Sequence, residues 1–147
     1  MQSALVHESA GQRTFVIVLS TDDEVMAELR RFVEREGVTA AQFTAIGALS
    51  AARLAYFDWE KKAYLSLPVG EQVELASLVG DVAVGPDGRA SVHAHAVLGR
   101  RDGGALAGHL EAGHVRPTLE CVLTESPAHL QKRFDPGSGL ALIRLSS

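Results

Sequence analysis

The stretch that most restricts how this chain can fold runs from His93 to Glu111. It reads His93-Ala-His95-Ala-Val-Leu, then Gly99-Arg-Arg-Asp-Gly-Gly104, then Ala105-Leu-Ala-Gly108-His109-Leu-Glu111. Two apolar runs around a glycine-rich centre predict antiparallel strands joined by a tight turn. A three-residue loop, Arg101-Asp102-Gly103, supplies the residue types of a type I turn followed by a left-handed residue, with Gly103 in that last position. This register pairs Arg100 with Gly104, His95 with His109, and His93 with Glu111. Side chains alternate along a strand, so His93, His95, His109 and Glu111 then share one face. A two- or four-residue loop would turn His109 away, because a one-residue shift exchanges the faces.

Three of the six histidines meet on that face. Three imidazoles with an open fourth position form one of the ligand sets that hold a catalytic zinc ion, so His93, His95 and His109 are the candidate ligands for zinc or another divalent transition metal. Glu111 would serve as a fourth ligand or as a partner that orients a ring. Asp81 reaches the same face if Pro86-Asp87-Gly88 closes a three-residue loop that pairs Asp81 with His93. His114 is a substitute for one of the three ligands, although Ala112-Gly113 suggests a break in the ladder before it. The bland alternative stays open: histidines on a strand often only pack and hydrogen-bond, or hold a small ligand without metal. An enzyme on this chain would use the histidine face as a zinc-dependent hydrolase or lyase, activating a bound water with Glu111 or Glu120 as base. No Gly-x-Ser-x-Gly, phosphate loop or Gly-x-Gly-x-x-Gly following a strand offers another centre.

The rest of the chain reads as strands around one helix. Residues 1–11 are small and polar and predict a loose tail that carries His7. Arg13 to Ser20 is a β-branched run. Thr21-Asp-Asp-Glu24 matches a capping box with Thr21 as the cap, and Val25, Met26, Leu29, Phe32 and Val33 follow at helical spacing until Gly37. The expected helix spans about residues 22–36. Val38–Leu49, Arg53–Asp58, Ala63–Leu67, Val73–Val84, Thr118–Thr124 and Leu140–Leu145 read as further strands. Gly47 marks a bulge or a close approach, Pro68-Val-Gly70 a break, and Gly80-Asp81 an interruption. Residues 126–139 are turn-rich and contain His129 with no evident partner. The fold class is therefore α+β, a single compact domain over 1–147 with a largely antiparallel sheet of about seven strands.

Bulk properties narrow the partners. With 147 residues and 46% hydrophobic residues, the chain is long enough for one real core. No apolar run is long enough for a membrane span, and the start lacks the basic and apolar regions of a signal peptide. The single Cys121 suits a reducing cytoplasm and reads as a buried, inert thiol. A net charge of −4 argues against tight nucleic-acid binding, which relies on phosphate neutralisation. Arg100 and Arg101 are the first candidates for any such contact.

The ordered combination Val92-His-Ala-His95-Ala-Val-Leu, Arg101-Asp102-Gly103, Gly108-His109-Leu and Thr118-Leu-Glu120 resembles the plant and prokaryote conserved (PPC) domain. Upstream, Phe43-Thr-Ala-Ile-Gly47-Ala-Leu, Tyr56-Phe-Asp58 and Ser77-Leu-Val-Gly80 extend the resemblance to roughly residues 13–126. It implies a stand-alone bacterial member that assembles as a homotrimer and acts as a binding or regulatory module. It also implies a metal or ligand site at His93, His95 and His109. Plant members attach the domain to AT-hooks that grip the minor groove, and bacterial members carry a DNA-binding label by that analogy. Two departures stand out: the chain contains no Arg-Gly-Arg-Pro hook, and Ala107 replaces the glycine that often precedes Gly-His. A trimer would triple the negative charge and repel DNA unless basic groups cluster.

Overall fold

The structure, a computed structural model, describes residues 1–126 and 130–145. Seven strands form one sheet, all antiparallel, with one helix packed on it, as the α+β reading expects. The strands are β1 (Gln2–Ser9), β2 (Gln12–Ser20), β3 (Ala41–Asp58), β4 (Ala63–Val69), β5 (Val73–Val84), β6 (Ala90–Gly99) and β7 (Ala105–Glu125). The helix α1 covers Val25–Glu36, and a separate hairpin of β8 (Lys132–Asp135) and β9 (Leu140–Ile143) follows. No helix among the described residues is long and apolar enough to cross a membrane.

Two long strands organise everything else. β7 pairs with β3 along most of its length, from Ala55↔His109 to Ala41↔Glu125. β7 also borders β6 at one end and β2 at the other, while β3 borders β5 and β4. The pairings β3–β7, β7–β6, β6–β5 and β5–β3 thus form a closed circuit. Closure hides ladder edges that would otherwise stay exposed. The apolar stripe of α1, with Val25, Met26, Leu29, Phe32 and Val33, joins the core beside Ile17, Leu19, Leu49, Leu110 and Leu119.

Several local expectations are corrected. Residues 1–11 are not a loose tail: Gln2–Ser9 form β1, exposed along its length but paired with β2, and His7 sits opposite Thr14. The polar surface of an edge strand mimics a tail in sequence, because only the backbone is held. The cap of α1 is Glu24 rather than Thr21: its carboxylate accepts from Met26 N at 3.2 Å and Ala27 N at 2.7 Å. Thr21 donates instead to Pro117 O, and Asp23 accepts from Ser20 N. The helix therefore begins at Val25, three residues later than expected. The expected strands Val38–Leu49 and Arg53–Asp58 merge into one, β3, which starts only at Ala41 and absorbs its irregularities as register shifts around Gly47 and Arg53. At Gly47 a Cβ would lie 2.4 Å from Thr118 O, so the close approach is real. β5 runs unbroken through Gly80-Asp81, β4 continues through Pro68 to Val69, and β7 continues through Ala112-Gly113. The turn-rich segment contains β8, which the sequence did not suggest; His129 lies outside the described residues.

Candidate metal centre

The site is built by two hairpin turns that set register. Arg100 N donates to Gly104 O at 2.8 Å and Gly103 N to Arg100 O at 3.0 Å, with Gly103 at φ 83°. This is the three-residue loop, and it places His95 opposite His109. Gly85 N donates to Arg89 O at 2.7 Å around Pro86-Asp87-Gly88, which places Asp81 opposite His93. Each turn fixes one pair, and their shared strand β6 joins both pairs on one face.

His93, His95 and His109 therefore converge. Each offers a ring nitrogen, and these nitrogens all lie within 4.8 Å of one another. The rings of His93 and His109 stack with centroids 5.0 Å apart, while His95 stands edge-on to both. Burial, then the charge of His93, holds His95 below its ordinary pKa. Burial followed by His93 and His95 does the same to His109. Both rings thus favour the neutral form that metal ligation requires. His109 Nδ1 is buried without a hydrogen-bond partner, an unsatisfied lone pair or N–H that an ion or ligand would relieve. Donor chemistry and this orphaned atom both fit a divalent transition metal.

The neighbouring acids take different places. Asp81 Oδ2 lies 3.3 Å from His93 Nδ1, and its Oδ1 lies 2.9 Å from Lys132 Nζ. The lysine contact is an ion pair off the hydrogen-bond line. Burial pushes the Asp81 carboxyl up, but His93 and Lys132 together outweigh it and hold the group below its usual range. Glu111 does not pair with His93, because the β6–β7 ladder ends at His95↔His109, beyond which β7 continues along β3 on its other edge. Its carboxylate binds Arg53 Nε at 2.8 Å instead, acting on His109 only through its charge. Glu120 lies farther along β7, opposite Val18 and Ile46, in a separate cavity with Gly47 and Thr118. His114 pairs with Ala51 and forms a bridge to Glu24, outside the cluster. Arg100 is tied to Glu71 at 2.8 Å, and Arg101 lies exposed in the turn.

Sequence reasoning missed two contributors. Tyr64 of β4 packs its ring 5.2 Å from that of His109. Lys132, only 8% exposed, arrives from β8. Both belong to elements joined to the site through pairings distant in sequence, for which no local spacing is a signal.

The model of the Plants and Prokaryotes Conserved (PCC) domain matches residues 6–127. The chain belongs to this family. A plant- and prokaryote-conserved protein from Pyrococcus horikoshii is 30% identical, with a TM-score of 0.84 over 99% of this chain and 96% of its own. A metal-containing protein from Archaeoglobus fulgidus is 31% identical, with a TM-score of 0.83 over 99% of this chain and all of its own (100%). A Ralstonia eutropha protein provisionally assigned to DNA binding is 26% identical, with a TM-score of 0.82 over 90% of this chain and 91% of its own. A comparison with curated proteins found no match.

Proposed function

We propose that this PCC-domain chain is a metal-binding module that holds one divalent transition metal ion, zinc foremost, between His93, His95 and His109. The observation that carries the reading is the convergence of three ring nitrogens within 4.8 Å from two adjacent strands. The orphaned His109 Nδ1 and the metal content of the Archaeoglobus relative support it. With three protein ligands, bound zinc supplies an open coordination position. Asp81 orients the His93 ring from behind, as carboxylates commonly do for metal-bound imidazoles.

Binding, rather than hydrolysis or a lyase reaction, is the reading the surroundings favour. Both carboxylates considered as a base are committed or remote, Glu111 to Arg53 and Glu120 to another cavity, and Asp81 is held by His93 and Lys132. DNA association, the role provisionally assigned to the Ralstonia relative, has less support here. The chain carries a net charge of −4 and Arg100 is already neutralised by Glu71.

Elemental analysis of untagged protein tests the reading, beside His93→Ala and His109→Ala variants purified identically. The expected result is about one zinc or similar ion per chain, lost in both variants. Protein that carries no metal and takes up none on addition overturns it.

A further inference from the structure

Beside the histidines lies a half-open cavity of about 360 Å³, within the usual range for small-molecule sites. It meets the cluster at His93 and His109. Its walls are largely apolar: Val92 from β6, the ring of Tyr64, and Leu140, Leu142 and Ile143 from the β8–β9 hairpin. Leu142, Ile143 and Tyr64 are each about two-fifths exposed, an apolar surface left uncovered next to a polar floor. The hairpin is held over the site by Val84 N donating to Leu130 O at 2.8 Å and by the Lys132–Asp81 pair.

The floor is electrically one-sided once the histidines hold their ion. Three neutral imidazoles leave the ion's two positive charges uncompensated, Lys132 adds a third, and among the described residues Asp81 is the one carboxylate lining the cavity. Lys132 is 8% exposed, and among the described residues Asp81 is its one ion-pair partner. An ammonium has three donors, so it keeps capacity for a further acceptor. A cationic or neutral apolar ligand would leave this charge unanswered. Inorganic phosphate would answer it but would leave Leu140, Leu142 and Ile143 uncovered.

Resting on the metal-site reading, we propose that this cavity binds a small monocarboxylic acid with an apolar body. The carboxylate lies toward the ion and Lys132, and the body lies between Tyr64 and the β8–β9 hairpin. The metal site is then one half of a ligand-sensing pocket whose selectivity comes from the hairpin.

Cobalt(II)-loaded protein tests this, because the visible absorption of bound cobalt reports any change in its ligands. Acetate, hexanoate and benzoate are titrated against it while the cobalt bands are recorded. The expected result is a spectral change with all three, with hexanoate and benzoate binding about tenfold or more tighter than acetate, since each buried methylene adds affinity. Leu142→Asp, at a position 40% exposed, brings hexanoate down to the level of acetate, and Lys132→Met weakens every acid. Cobalt taken up with no response to hexanoate at tens of millimolar overturns this inference alone. So does equal binding of acetate and hexanoate in the unaltered protein. Failure to take up cobalt overturns the metal site and this inference with it.

Discussion

Asp81 stands between His93 and Lys132 and connects the histidine cluster to the hairpin above it. Its oxygen 3.3 Å from His93 Nδ1 sets the tilt of that ring, and its other oxygen holds Lys132. Asp81→Asn keeps the shape but removes the charge, so metal affinity is expected to fall about 10- to 100-fold. Competition against a chromogenic chelator measures this, and unchanged affinity would mean that the carboxylate does not position the ring. Cys121 shows the opposite logic. Burial pushes its thiol up to about 12, so the folded protein keeps it neutral. A thiol-specific disulfide reagent at pH 8 should leave the native protein unlabelled and label one thiol per chain in urea. The sign follows for stability: the contribution is intact below the ordinary thiol value of about 8.5 and declines as pH rises from there toward 12. Rapid labelling of native protein would show that Cys121 is accessible after all.

Among the elements, α1 depends on a cap that reaches beyond its own turn. Glu24 accepts from Met26 N and Ala27 N, and also from Gly113 N of β7 at 3.0 Å, so one carboxylate caps the helix and pins it to the sheet. Glu24→Ala should destabilise the fold by about 1–2 kcal/mol in urea titration, the upper range for a lost cap. Thr21→Ala should cost well under half of that, since Thr21 only donates to Pro117 O at the surface. Equal costs would restore Thr21 as the cap. Strand β5 has a comparable tight spot. At Gly80 a Cβ would stand 2.2 Å from Phe43 Cζ and 2.4 Å from His93 O. The residue next to Asp81 is thereby fixed by packing on one side and by the site strand on the other.

For the molecule as a whole, the closed circuit of strands leaves an apolar outer surface. Ile46, Val79 and Val122 are about half exposed or more and surround one shallow cavity with Ala76 and Ser77. Contiguous exposed apolar surface of this kind favours association. The expected homotrimer would cover it, and Val79→Glu should then shift the protein to a smaller species by light scattering after gel filtration. A wild-type monomer, or a variant with unchanged mass, would place the contact elsewhere or remove it.

How much of this was legible in the sequence follows the range of the interactions. Turn chemistry is local, so Arg101-Asp102-Gly103 and Pro86-Asp87-Gly88 pointed to His95 opposite His109 and Asp81 opposite His93, the pairs the structure contains. The period of α1 was equally local, and only its cap was misplaced, because Asp23, Thr21 and Glu24 are all competent caps until β7 chooses among them. Glu111 went wrong for the converse reason: the β6–β7 ladder ends at His95↔His109, beyond which β7 keeps β3 on its other edge, and no local pattern records where the ladder stops. Tyr64 and Lys132 come from strands whose places depend on long-range pairing and on the tether at Val84. The sequence by itself determined the antiparallel hairpins, the helix and the three-histidine face, since each rests on contacts between residues close along the chain. Only the tertiary structure decided what surrounds that face, because closing the sheet and docking the β8–β9 hairpin bring together residues that share no local constraint.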